Sequence, residues 1–232
     1  GPGTQNFNCY VIKQLRKSKQ RNRQKRDGTS RESSVANVQQ IDITVRKFQI
    51  ELRHKGKLPD VFKLRKRLKE SKDVTSDTYK MSELLVKERS SFDNWEQTLI
   101  HTLPYFEGAY NLVILTEDGS IFGVRDPFGI RPLCLGKLPN GWIIASESVA
   151  LDTIGAEFVR DVAPGEIVKI DKDGKLSSYF FGVPRRHQFC IFEYIYFARP
   201  DSFMNGRRIK AGRERSGMLL ADRIRSKKLK PD

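Results

Sequence analysis

The stretch FGVRDPFGIRPLCLG, Phe122–Gly136, is apolar at both ends and crowded in its middle. Arg125, Asp126 and Arg131 stand there together with Pro127, Pro132 and Gly129. A two-residue hairpin turn requires nothing of the kind. Proline fixes φ and removes an N–H donor, while glycine permits φ > 0. The segment therefore reads as a rigid turn between two hydrophobic strands. Its three charges need partners wherever the turn is buried.

On both sides of it the apolar pattern is that of strands. GAYNLVILTEDGSIFGVRD gives a strand, an Asp-Gly turn and a second strand. GWIIASES, GEIVKID, KLSSYFF and FCIFEYIYFA read as further strands with turn residues between them. Earlier, DITVRKFQIELRHKG places Ile41, Ile43 and Val45, then Phe48, Ile50 and Leu52, at period two, which predicts a hairpin. A short strand is expected near Phe7–Ile12. Three helical patterns follow the hairpin. DVFKLRKRLKES sets Val61, Leu64 and Leu68 on one face, with Asp60 as N-cap. DTYKMSELLVKE does the same with Met81, Leu84 and Leu85, and NWEQTLIHTLPYF ends before Pro104. RERSGMLLADRI reads as a final amphipathic helix with a basic outer face. Helices followed by many antiparallel strands make the fold class α+β, a layered sandwich.

Composition narrows the function. The net charge is +15, but it is unevenly spread. Residues 104–205 hold 10 Lys+Arg against 13 Asp+Glu, and the remainder holds 33 against 15. KQLRKSKQRNRQKR, Lys13–Arg26, has eight basic residues and no acid. Such a run reads as a solvated arm or as a contact for RNA or an acidic protein. No apolar run approaches the roughly 18 residues of a membrane span, and no signal-peptide region opens the chain. Cys9, Cys134 and Cys190 follow no metal-ligand spacing and form no disulfide framework. We expect no metal, no cofactor and a reducing compartment, the cytoplasm or an organelle of similar redox state. GPGT, residues 1–4, has the look of a cloning scar. The expected divisions are then a basic arm over 5–25, the main domain over 26–205, and a basic helix and tail over 206–232.

EGAYNLVILTEDG, RDPFGIRPLCLG, WIIASES, DTIGAEFVRDVAPGEIVKID and CIFEYIYFARPDS occur in one order at close spacing. Together they resemble the N-terminal glutaminase domain of amidophosphoribosyltransferases, the family that opens de novo purine synthesis. The resemblance is close over about 104–205 and fainter, but in register, over 26–103. It implies an αββα sandwich of the N-terminal-nucleophile (Ntn) hydrolase type, here truncated or degenerate in its first strands. It also implies that Arg125, Asp126 and Arg131 are architectural. They should be buried where strands of one sheet end, with an Asp–Arg pair held bidentately. FARPDS, Phe197–Ser202, should be an architectural corner.

In the family a thiolate attacks the glutamine amide carbon, a base moves the proton, donors face the oxyanion, and an Arg and a carboxylate grip the amino-acid end. RDGTSRESSVANVQ begins with Arg26 in the place of the gripping Arg, and Thr29 takes that of a nearby hydroxyl. HKG falls where the family has His-Asn-Gly, whose Asn side chain and Gly N–H form the oxyanion hole. Gly56 is kept and Lys55 replaces the Asn. TSD puts Asp77 in the place of the carboxylate that holds the α-amino group, although Asp77 also reads as a helix cap. Cys9, followed by YVI, takes the nucleophile's place if residues 1–8 are removed.

Two departures weigh against catalysis. Only 16 residues separate Cys9 from Arg26, where the family has several strands, a helix and a His-Arg-Gly-Gln-Glu-Ser motif. Lys55 is a point charge on a flexible stem, not a fixed planar amide. Nothing after Phe203 matches the phosphoribosyltransferase half of the family. Two readings remain. One is a pseudoenzyme whose sandwich is a binding scaffold, with basic ends for RNA or an acidic protein, in an oligomer or with a partner chain completing the fold. The other is a glutaminase that binds glutamine and hydrolyses it through Cys9. We expect the first.

Overall fold

The structure, a computed structural model, describes residues 9–10, 38–45, 48–58, 64, 67–68, 76–183 and 185–227. The basic run 13–26, Asp60, Val61 and the tail beyond 227 lie outside these.

The expected hairpin is β2 (Val38–Val45) and β3 (Phe48–Lys57), in register with Ile43 opposite Ile50. β3 continues onto β4 (Ala109–Thr116), which pairs with β5 (Ile121–Arg125) across the Asp-Gly turn. β9 (Glu166–Ile170) and β10 (Leu176–Phe180) complete a six-stranded antiparallel sheet of order β10-β9-β5-β4-β3-β2. A second sheet has the order β1-β7-β6-β8, made of Cys9–Tyr10, Gly141–Ala145, Cys134–Leu138 and Glu157–Asp161.

Alternation along the strands decides the layers. Ile50, Leu52, Leu112 and Ile114 face helices α1 (Asp77–Arg89) and α2 (Trp95–Thr102), where they bury Met81, Leu84, Leu85, Trp95 and Leu99. Leu64 and Leu68 join that core, as their spacing predicted. Val113, Ile121 and Val168 pack between the sheets against Leu135 and Ile144. On the far side Cys134, Ile143 and Ala145 meet Ala150 and Leu151 of α3 (Ser148–Thr153). Helix, sheet, sheet and helix are thus stacked as an αββα sandwich. α2 tightens into a 3₁₀ turn, Leu103–Tyr105, that runs through Pro104 instead of stopping before it. Near the start of such a turn proline's missing N–H costs nothing.

The charged stretch differs from expectation in three respects: it crosses between sheets, it holds no bidentate Asp–Arg pair, and Arg131 is only half-buried. β5 and β6 belong to different sheets, so residues 126–133 form a crossing between sheets and not a turn within one. Arg125 and Asp126 are buried but are not hydrogen-bonded to each other. The Arg125 guanidinium donates to the carbonyls of Val162 (2.6 Å), Arg131 (2.8 Å) and Gly129 (3.0 Å). Asp126 accepts from the N–H groups of Phe128 (2.9 Å) and Ile130 (3.1 Å). Gly129, at φ +61°, closes that turn. Crossing strands leave backbone carbonyls and N–H groups without ladder partners, and these two side chains supply them. The ion pair of the stretch is Arg131 with Glu193, at 2.7 Å, with Arg131 29% exposed. The FARPDS corner is tied by Glu147 Oε2, which accepts from Arg199 N and Ser202 Oγ.

FCIFEYIYFA is not a strand. Glu193–Phe197 is a single π-helical turn, closed by Ala198 N–H donating to Glu193 O at 3.0 Å. The central Glu193 turns inward to Arg131, while Phe192, Ile195 and Tyr196 stay exposed. A strand would have put Glu193 on the face of Ile191 and Ile195. The terminal helix α4 (Ile209–Ser226) exists as expected, but only Ile209 is buried, and its apolar Met218, Leu219 and Leu220 face solvent.

Candidate active site

The last residues of β3 carry the site. Lys55 lies opposite Asn111 and Gly56 opposite Tyr110. Gly56 has φ +144°, and a Cβ there would stand 2.0 Å from the Ala109 carbonyl oxygen. Only glycine lets the two backbones approach so closely. Lys55 is half-buried and Gly56 exposed, so both are within reach of a ligand.

The start of α1 meets this strand end. Ser76 is the N-cap, its Oγ accepting from Tyr79 N at 3.4 Å. Asp77 is therefore not the cap, and its carboxylate serves another contact. Asp77 Oδ2 accepts from Leu58 N at 3.2 Å. Next to it, Thr78 Oγ1 and His54 Nδ1 are hydrogen-bonded at 3.1 Å, both residues buried. His54 Nε2 is buried with no partner among the described residues. Burial lowers the His54 pKa from 6.5 to about 4, against the opposing pull of the Asp77 carboxylate. His54 is therefore a neutral imidazole at pH 7.

Lys55 and Gly56 stand at the end of β3, and Asp77 meets that strand end through Leu58 N. Cys9 lies on the other sheet, in an edge strand where it pairs with Ala145 of β7. Arg26 and Thr29 lie outside the described residues. His54 and Thr78 were not singled out from the sequence. The available signal was a histidine at the position where the buried alternation Ile50, Leu52 calls for another apolar residue. The opposite face of β3 carries Glu51 and Arg53, ion-paired at 3.1 Å and each 36% exposed. Among the described residues no group of three His, Cys, Asp or Glu could hold a metal ion, and no helix is long and apolar enough to cross a membrane.

His54 gives the domain a defined acid response. Its folded pKa lies below its unfolded value, so the unfolded state binds more protons between about pH 4 and 6.5. Stability contributed above pH 6.5 is lost as pH falls through 4, by about 3 kcal/mol at 1.36 kcal/mol per unit. Urea unfolding at pH 7.0 and pH 4.0 should show this loss, and His54→Gln should flatten it. An equal loss in both proteins places the acid response elsewhere.

The glutamine amidotransferase domain model matches residues 39–153. Amidophosphoribosyltransferase of Archaeoglobus fulgidus is 38% identical over 202 residues, covering 84% of this chain and 43% of the relative. That of Mycobacterium tuberculosis is 46% identical over 126 residues, 54% of this chain and 23% of the relative. Among solved structures, the glutamine phosphoribosylpyrophosphate amidotransferase of B. subtilis complexed with ADP and GMP superposes with a TM-score of 0.73. It is 32% identical and covers 80% of this chain and 41% of that one. This chain spans less than half the length of each of these proteins. The fold and the matched sequence agree with these relatives, and the chain belongs to the glutamine amidotransferase domains of the amidophosphoribosyltransferase family.

Proposed function

We propose that this domain keeps the glutamine-site scaffold of its family without its catalytic turnover, and that it works as a binding module. Lys55 carries this reading. The strand end around it is retained, with Gly56 in its strained conformation and Asp77 beside it. In the family's oxyanion position, however, stands an ammonium on a flexible stem. Preorganised donors are what stabilise the tetrahedral intermediate, and loss of one typically costs about 10²–10³ in rate. The 16 residues between Cys9 and Arg26 support the same reading, since they are too few for the strands that frame the nucleophile in the family.

Glutamine, the family's substrate, is the ligand this site would hold. Asp77 and Arg26 would grip its amino-acid end, with Thr29 nearby, and the Gly56 N–H would meet its side-chain carbonyl. The excess of basic charge outside residues 104–205 suits an RNA or acidic-protein partner, because phosphate contacts release counterions on binding. A shortened chain beginning at Cys9, incubated with glutamine, should release no more ammonia than its Cys9→Ala control. Robust Cys9-dependent release would make the domain a working glutaminase.

A further inference from the structure

His54 is costly where it stands. Ile50 and Leu52, four and two residues before it on the same strand face, are fully buried aliphatic side chains. A third aliphatic residue would extend that core without penalty. The imidazole instead leaves Nε2 buried with no partner among the described residues, which costs stability. Costs of this kind are tolerated where a side chain holds a site in place.

What it holds is visible in the bonds. His54 Nδ1 to Thr78 Oγ1, at 3.1 Å, ties the strand to the helix on one side of Lys55–Gly56. Leu58 N to Asp77 Oδ2, at 3.2 Å, ties the same two elements on the other side. At roughly 3.3 Å per residue the two ties stand about 13 Å apart along the chain, and they bracket Lys55, Gly56 and Lys57. The sheet already holds β3 through β4, so what the ties set is where its end stands against the helix. Two ties fix it.

We propose that His54 is a positioning residue: with Thr78 it forms one half of a two-point clamp that sets the spacing between Lys55–Gly56 and Asp77. Resting on the glutamine-site reading above, this fixes the distance between the end of the site that meets the carboxamide and the end that meets the α-amino group. His54 itself touches no ligand. Its effect passes through the strand.

Thr78→Val tests this, because valine keeps the volume of threonine and removes the hydroxyl. Thr78→Ser, which restores the hydroxyl, is the rescue. Amide hydrogen exchange is read at Leu58, whose N–H bonds to Asp77, and at Ile114 in the core as the reference for global opening. Glutamine affinity is read by calorimetry on the full chain. We expect Thr78→Val to speed exchange at Leu58 at least tenfold with Ile114 unchanged, to weaken glutamine binding about five- to tenfold, and Thr78→Ser to reverse both. Unchanged exchange at Leu58, or equal acceleration at Leu58 and Ile114, overturns the clamp. Absence of glutamine binding by the wild-type chain overturns the glutamine reading instead, and exchange alone then decides whether the clamp exists.

Discussion

Asp126→Ala lowers the stability of this domain by about 3–5 kcal/mol, and Asp126→Asn by less than half of that. Asp126 is fully buried, and its two carboxylate oxygens satisfy the N–H groups of Phe128 and Ile130. Alanine leaves both donors buried and unpaired, at about 1–3 kcal/mol each. It also removes one of the negative charges near the buried Arg125 guanidinium, though Asp161 and Glu166 and three backbone carbonyls continue to hold that cation. Asparagine keeps one acceptor oxygen. It is also spared a cost that the carboxylate bears, since burial pushes the Asp126 pKa up against the pull of its N–H partners. Urea denaturation of the three proteins decides it. An alanine variant within 1 kcal/mol of wild type would show that the crossing between the sheets is held by something other than this turn.

The same stretch shows where sequence reading succeeds and where it stops. Two prolines and a glycine between apolar strands announce a rigid, constrained connection; period-two alternation places β2 and β3, and apolar runs between turn residues place β4, β5, β7, β9 and β10. Neither property identifies partners. Arg125 bonds to Val162, 37 residues away, and Arg131 to Glu193, 62 residues away. Those contacts exist only once the two sheets are stacked. This is also why FCIFEYIYFA reads as a strand: its apolar residues fit one, and the contacts that hold its π-helical turn, Arg131 with Glu193 and Arg213 with the Tyr194 and Ala198 carbonyls, come from distant residues.

The candidate site was legible to a similar degree. Lys55, Gly56 and Asp77 follow from motif order, and Asp77 meets the strand end of Lys55 and Gly56 through Leu58 N. The role of Asp77 could not be separated from helix capping by sequence, because a serine and an aspartate stand side by side where only one can cap. The structure gives the cap to Ser76 and leaves the Asp77 carboxylate for the strand. His54 was hidden for a different reason. A single polar residue in an alternating strand looks like a fluctuation until its partner, 24 positions on, is known.

Gly56→Ala has the second large effect, a loss of roughly 3–5 kcal/mol, combining backbone strain with broken strand pairing. At φ +144° the position is nearly closed to any residue with a Cβ. The atoms that Cβ would meet are all backbone: Ala109 O at 2.0 Å, Tyr110 Cα at 2.8 Å and Ala109 C at 2.9 Å. No rotamer change can make room, so β3 and β4 must part where Gly56 faces Tyr110 and Lys57 faces Ala109. The displaced strand end also pulls Leu58 from Asp77, which carries the damage to the helix. Gly141, at the start of β7, is the control, since a Cβ there meets nothing within 4 Å. Gly141→Ala should stay within about 0.5 kcal/mol of wild type, as surface changes away from special geometry do. Denaturation midpoints of the two variants, measured side by side, give the comparison. Equal stability would mean that the strand end yields without cost, and that Gly56 sits there for its exposed N–H alone.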